Sequence, residues 1–353
     1  TASQNIGEFI LKTDLENISE TFDKKVIKDS YLGFDAIMHA EVTQSADNSI
    51  SATYKYTTAS KTGVGYIDYI IAAAQCSLKG NLDYQMIPVS PSYTETNITY
   101  AALNSNSNIQ VWDVSEIGDV KRVPTKSSKD SLIFTVKTRP TVGRYIMVDW
   151  GGKFKTPEIV GNVDNQNLHA LKDIEYTVVT NPEFIAQANE IAEFHHEKDG
   201  MSVAVVTTDQ VYNEFSSGTP DVSAYRWLMK MLYDRANGNA VKRPKYLLLM
   251  GDGTYDNRRI FGANVSGSNL LLTYPSTNST VEPMAYSTDD YFGFLADNTG
   301  IYKNEFNITL AKMDIGVGRL PVKTLDEANQ VVHKICTYID DKTLGKWKSN
   351  ILF

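Results

Sequence analysis

The stretch IEYTVVTNPEFIAQANEIAEFHHEKDGMSVAVVTT, residues 174–208, decides the fold. IEYTVVT is a short run rich in β-branched residues and reads as a buried strand. Asn181 then offers a helix N-cap, Pro182 takes the first helical position, and Gly200 supplies the C-terminal stop. MSVAVVTT repeats the buried-strand pattern. A strand, a helix and a strand in so short a span form a βαβ unit, which implies a parallel sheet covered by helices.

Outward from this unit the rhythm continues. SAYRWLMKMLYDRANG (223–238) predicts a second helix with Trp227, Leu228, Met231 and Leu232 on its apolar face, again ending in Asn-Gly. YLLLMGDGTYDNRR (246–259) starts as a third strand and stops at Gly251-Asp252-Gly253. A long loop, a hairpin around YFGFLADN (291–298) and a strand in DIGVGRLP (314–321) follow. TLDEANQVVHKICTYIDD (324–341) predicts a third helix, and NILF (350–353) begins another strand. The expectation is a three-layer α/β/α subdomain with a mostly parallel sheet, whose loops at the carboxyl ends of the strands form the functional rim.

Residues 22 to about 149 behave differently. DAIMHAEV (35–42), SISATYKYTT (49–58), IQVWDVS (109–115), SLIFTVKT (131–138) and RYIMVDW (144–150) alternate apolar and polar residues, with turn clusters such as QSADNS, SKTGVG and TKSSKD between them. They predict an amino-terminal antiparallel β-sandwich over 1–155, with 9–15 as a further strand. The composition turns to Gly, Lys, Asn and Asp in GGKFKTPEIVGNVDNQN (151–167). Residues 156–168 are therefore expected to be a connector, and 169–353 the second domain.

The 353 residues are enough for roughly two or three domains, each with its own core. With 42 acidic against 34 basic side chains the net charge is −8, and no basic stripe interleaved with aromatics occurs. Nucleic acid is thus not an expected partner. No apolar run reaches the roughly 18 residues of a membrane span, and YIDYIIAAAQCSL (66–78) is broken by Asp68. Cys76 and Cys336 form no CxxC pair, so neither a zinc site nor a disulfide framework is indicated. The chain opens without Met and closes at the start of an apolar strand, from which we expect a piece of a longer protein. Its 20 Tyr and Asn/Ser/Thr-rich loops suit an extracellular surface.

The polar residues after the third strand are the candidates for chemistry. Gly251, Asp252 and Gly253 stand where open α/β sheets carry their ligands, and are the candidate cleft-rim residues. They match neither GxGxxG nor GxxxxGK[ST], and no helix follows at once to face a phosphate. Asp252, Asp256, Asp289 and Asp290 are candidate ligands for a hard cation, with hydrogen bonding inside the loops the preferred reading. Cys336 lies three residues after His333, but Val331, Val332, Ile335 and Ile339 place it on a core-facing helix rather than on the exposed loop a catalytic thiol needs. His195 and His196 end a helix, where a cationic side chain meets the negative end of the dipole, and lack the i, i+4 spacing of a zinc pair. His39 and His169 show no evident partner. There is no GxSxG and no HExxH.

HALKDIEYTVVTNPEF (169–184), AEFHHEKDGMSVAVVTTDQVYNEFSSGTPD (192–221), YLLLMGDGTYDNRR, STDDYFGFL (287–295) and DIGVGRLPVKTLDEANQVVHKI (314–335), in this order, resemble the first subdomain of the gingipain family of caspase-like cysteine peptidases. VYNEFSSGTPD together with MGDGTYDNR is most similar to the gingipain-like C-terminal signal peptidases, or sortases, of the type IX secretion system. The resemblance implies a β domain ahead of a peptidase domain, and a secreted protein held at the outer membrane on the cell surface. Its partners would be secreted cargo, cleaved of a sorting domain, and the outer-membrane secretion machinery. No cofactor is implied beyond a structural calcium, which the family admits.

In that family the His of a Gly-His-Gly-type motif and the nucleophilic Cys belong to the second subdomain, downstream of the strand at NILF. Hence no catalytic residue is assigned here: the dyad is expected beyond Phe353, and these residues alone are expected to be inactive. Two other classes stay open on the residues themselves. One is a non-catalytic surface-binding protein with a degenerate peptidase-like domain, the other an α/β enzyme using Asp252 and Asp256 with a divalent metal.

Overall fold

The structure, a computed structural model, describes residues 7–22, 36–43, 49–58, 64–73, 77–80, 82–260, 270–276, 285–300, 312–339, 345 and 350. The two-residue alternation of the first part folds into antiparallel strands. β1 (Gly7–Lys12) pairs with β2 (Asn17–Phe22) on one side and β3 (Thr53–Thr58) on the other. Phe9 packs its ring 5.6 Å from Tyr54 and 4.7 Å from Tyr56.

The sandwich is made by later strands. β4 (Tyr84–Val89), β5 (Asn97–Leu103), β6 (Ile109–Asp113), β7 (Lys121–Val123), β8 (Thr125–Ser128), β9 (Ser131–Lys137) and β10 (Gly143–Asp149) form two sheets, ordered β4-β10-β6-β7 and β5-β9-β8. Every second residue of β4, β6, β9 and β10 points into one shared core, as a pleated strand dictates. Ile87, Val111, Phe134 and Met147 are its buried centre. Each such side chain stabilises the fold by about 1.5–3 kcal/mol relative to exposure.

Three features differ from expectation. β1, β2 and β3 form a sheet of their own instead of joining the sandwich. Residues 36–43 carry no strand, and only 53–58 of the stretch 49–58 is extended in a ladder. The alternation was present in these segments, but a ladder also needs a partner edge, which the pattern does not name. Cys76 and residues 351–353 lie outside the described residues.

The chain divides into two compact units, one of Ile67–Val163 and the other of Thr1–Tyr66 with Asp164–Phe353. In the second, the βαβ unit forms as its caps direct. β11 (Tyr176–Thr180) leads to Asn181, whose side chain accepts the Glu183 N–H at 3.0 Å and opens a 3₁₀ turn, Pro182–Phe184. α1 (Ile185–Asp199) follows and ends at Gly200, with φ 66°, whose N–H meets the His196 carbonyl at 3.1 Å. β12 (Val203–Thr207) then pairs parallel with β11.

α2 (Thr208–Phe215), α3 (Ser223–Arg235), β13 (Tyr246–Met250), β14 (Tyr274–Pro275), β15 (Ser287–Thr288), β16 (Gly316–Leu320) and α4 (Leu325–Ile339) complete the unit. The parallel sheet has the order β12-β11-β13-β16. Its two faces are both buried. Tyr176, Val178, Leu248 and Met250 pack with α1 and α4, while Val179, Val206, Leu247 and Leu249 pack with α2 and α3. This is the three-layer α/β/α arrangement expected, since a sheet apolar on both faces must be covered on both.

Three details are corrected. α2 was not expected, and a capping box starts it: Thr207 accepts the Gln210 N–H while Gln210 reaches back to the Thr207 N–H. On α3 the buried residues are Ala224, Tyr225, Arg226, Leu228, Met229 and Leu232, whereas Trp227 is 47% exposed. Residues 291–298 form no hairpin. A 3₁₀ turn, Asp290–Gly293, stands there, and the Asp314 carboxylate accepts the N–H groups of Leu295 and Ala296 at 2.8 and 3.0 Å.

Candidate functional site

From β11 the chain moves outward to β12 and then returns to the other side of β11 as β13, so the strand order reverses between β11 and β13. Open α/β sheets leave a crevice at such a switch point, outside the carboxyl ends of the strands. Here those ends are Thr180-Asn181 and Met250-Gly251, joined by the Asn181 N–H and the Met250 carbonyl at 3.4 Å. Gly251-Asp252-Gly253 therefore stands on the rim of this crevice.

The rim is built from backbone hydrogen bonds. Gly251 and Asp252 donate to the carbonyls of Leu320 and Val322 at 3.0 and 3.1 Å, and the Asp252 carbonyl accepts the Leu271 N–H at 2.8 Å. A Cβ at Gly253 would come within 2.4 Å of the Thr273 methyl, so the close approach of these two segments requires glycine. Thr273 is held further by Asn257, whose amide exchanges two hydrogen bonds with its backbone at 2.6 and 3.2 Å.

Arg319, at the end of β16, ties the rim together. Its guanidinium makes a bidentate pair with Asp289 at 2.7 and 2.8 Å, and donates to the carbonyls of Gly251 (3.0 Å), Asp252 (3.4 Å) and Leu272 (3.0 Å). Only 11% of the arginine side chain is exposed. Planar, multiply bonded guanidinium of this kind is a rigid cross-link that lysine does not reproduce. Behind it the hydroxyls of Tyr212 and Tyr225 meet at 2.5 Å. Burial pushes the Tyr225 hydroxyl up to about 12 and the Tyr212 hydroxyl up as well, so both stay protonated.

The candidate metal ligands are separated in their roles. Asp289 is bound to Arg319, and Asp252 lies 3.2 Å from the Lys323 ammonium. Asp256, 5% exposed, accepts the Ile260 N–H at 2.9 Å, and Asp290 is exposed. Among the described residues no three His, Cys, Asp or Glu side chains come together in a group suited to a metal ion.

Cys336, half-buried on α4, packs against the cluster that contains Tyr176, Val178 and Ala328, whereas His333 is exposed on α4. Burial, with Glu190 nearby, pushes the Cys336 thiol up. His195 bonds Asp199 at 2.6 Å, and His196 bonds the Met201 carbonyl at 2.9 Å. His39 is exposed.

His169 does have a partner: its ring lies 2.6 Å from Glu214 and stacks 4.7 Å from Phe215. Burial alone would raise the Glu214 carboxyl, but donors from the Leu168 N–H, Gln166, and the ring and N–H of His169 hold it at about 2. Sequence reading missed Glu214 and Arg319 alike, because each acts on residues distant in the chain.

Residues 169–353 match the model of peptidase family C25. Among solved structures the chain is similar to PorU from Porphyromonas gingivalis, described as dimeric and latent, at 26% identity and a TM-score of 0.71. The match covers 99% of this chain and 33% of that one, so these residues span a third of the PorU chain. No curated protein matches the sequence. With the family match over more than half of its residues and the three-layer fold that carries it, the chain belongs to peptidase family C25, the gingipain family of cysteine peptidases.

Proposed function

We propose that these residues are the amino-terminal portion of a gingipain-like cysteine endopeptidase or sortase that removes C-terminal sorting domains from secreted proteins. The observation that carries this reading is the family match on 169–353 joined to the likeness to PorU over nearly the whole chain. The Cys-His dyad is contributed from beyond Phe353. Cys336, half-buried against the helix-covered core with a raised pKa, has the wrong setting for a nucleophile, which supports placing the thiol elsewhere.

In the assembled site the His deprotonates the Cys, and the thiolate attacks the scissile carbonyl to give an acyl-enzyme. Water or an amine at the cell surface resolves it. The Gly251–Gly253 rim, fixed by Arg319, shapes one wall of the cleft. The protein works outside the cell, at the outer membrane, with secreted cargo and the type IX secretion machinery as partners; among the described residues no helix is long and apolar enough to cross a membrane. To test this, the whole gene product is incubated with a cargo protein carrying its sorting domain. Cleavage at the domain junction by the whole product, and none by residues 1–353, is expected; an intact cargo would instead favour a non-catalytic binding protein.

A further inference from the structure

An antiparallel sheet usually packs one face and presents a polar face to water. The sheet β4-β10-β6-β7 does not. Its inward residues fill the sandwich core, while the alternate, outward residues include Tyr84, Met86, Pro88, Ile146, Val148 and Trp112, with Gln110, Arg122 and Arg144 as the polar members of the face.

The pairing registers put Met86, Ile146, Trp112 and Arg122 in one row across the four strands. At about 4.8 Å per strand, this row is about 14 Å wide. Tyr84, Val148 and Gln110 form the adjacent row. Tyr84 is 59% and Met86 50% exposed, while Trp112, Ile146 and Val148 are half-buried, so the apolar surface is most open to solvent along β4. Among the described residues neither the Arg122 nor the Arg144 guanidinium has a hydrogen-bond or ion-pair partner.

The geometry points to this face as a docking surface for a protein partner that presents an apolar centre rimmed by carboxylates. Contiguous apolar patches rimmed by polar groups mark interaction sites. The composition is also that of an interface core, with Tyr, Trp, Met and Arg present and Lys, Asp and Glu absent from the outward positions.

The charges select the occupant. Both ionic groups on the face are cations. The carboxylates of these strands, Asp113 and Asp149, are committed instead to Arg139 and to Asn106 and the Gly151 N–H. Two copies of the face brought together about a two-fold axis would meet with guanidinium groups and no carboxylate to pair them, so the surface is not self-complementary. An acidic rim on a different protein satisfies both arginines and speeds encounter. This inference stands apart from the peptidase reading and does not depend on where the dyad lies.

The probe is a phage-displayed library of random 16-residue peptides, panned against the whole chain and, in parallel, against Met86→Asp and Arg122→Glu/Arg144→Glu variants. All substitutions are at exposed positions, and circular dichroism melting verifies that each variant folds. Enrichment of peptides mixing aromatic or aliphatic residues with Asp and Glu is expected. Binding of a synthesised hit should fall at least tenfold in either variant, and in the arginine variant Lys-containing counterparts should gain at its expense. Three results would each overturn the proposal: no acidic-apolar enrichment, enrichment unaffected by the variants, or binding to anionic phospholipid vesicles but not to peptides. A concentration-dependent dimer in sedimentation, lost in Met86→Asp, would reassign the face to a second copy and overturn it too.

Discussion

Arg319→Ala is the sharpest perturbation of the rim. It removes the guanidinium paired with Asp289, whose side chain is 24% exposed, and it takes the donor from the carbonyls of Gly251, Asp252 and Leu272. Breaking a buried pair by deleting one member costs about 3–5 kcal/mol. Partial access of water to Asp289 lowers that figure, and the orphaned carbonyls add about 1 kcal/mol each where water fails to reach them. About 3 kcal/mol is therefore expected. Arg319→Lys keeps the charge but not the fork, and should cost about 1–2 kcal/mol. A cycle with Asp289→Ala should show coupling of about 1–3 kcal/mol, because the two groups touch. Urea unfolding measures the totals. Hydrogen exchange localises them: Leu271, whose N–H is held by the Asp252 carbonyl at 2.8 Å, should lose protection before the sheet does. An Arg319→Ala chain within about 0.5 kcal/mol of the parent, a surface-like effect, would refute the idea that this side chain holds the rim.

Glu214 supplies a pH signature. Its folded pKa of about 2 lies below its ordinary value of 4.5, so its contribution is complete above 4.5 and fades as pH falls toward 2; Glu214→Gln should flatten that part of the acid stability profile, and an unchanged profile would show that the clasp on Leu168 and His169 contributes nothing. Chelator should leave the melting temperature of the chain unchanged, because Asp252, Asp256 and Asp289 are engaged by Lys323, the Ile260 N–H and Arg319; a drop restored by calcium would establish a structural ion. Limited proteolysis should cut first in the proposed connector, where residues 153–165 are exposed and without regular structure, and early cuts inside β9 or β13 would argue against two domains.

The parallel unit was legible because its signals are local. Asn181, Pro182 and Gly200 bound α1 by their own backbone chemistry, and the runs at 176–180, 203–207 and 246–250 are short blocks dominated by apolar residues, buried throughout in β11, in four of five positions of β13, and on one face in β12, the edge strand. The Thr207-x-x-Gln210 capping box that starts α2 is an equally local signal. Trp227 shows the limit of periodicity: hydrophobicity selected it for the core, but Tyr225 and Met229, offset around the helix, are what the sheet and Phe292 receive.

The strands β2, β4, β5, β7 and β8 escaped because short strands with one half-exposed face carry little pattern. At the candidate site the glycines of the rim were found from their place after a strand. Arg319 was not found. Its meaning depends on Asp289, Gly251 and Leu272, which only the folded sheet brings to it.

The central claim is that the nucleophile lies outside these 353 residues and that their own cysteines are inert. A thiol-directed alkylating reagent, applied to the folded whole gene product at neutral pH and followed by mass-spectrometric mapping, tests it directly. The account predicts rapid stoichiometric labelling, with loss of peptidase activity, at a cysteine beyond Phe353, and slow labelling at Cys336, whose burial leaves little thiolate. Rapid labelling of Cys336 that abolishes cleavage by residues 1–353 alone would contradict it.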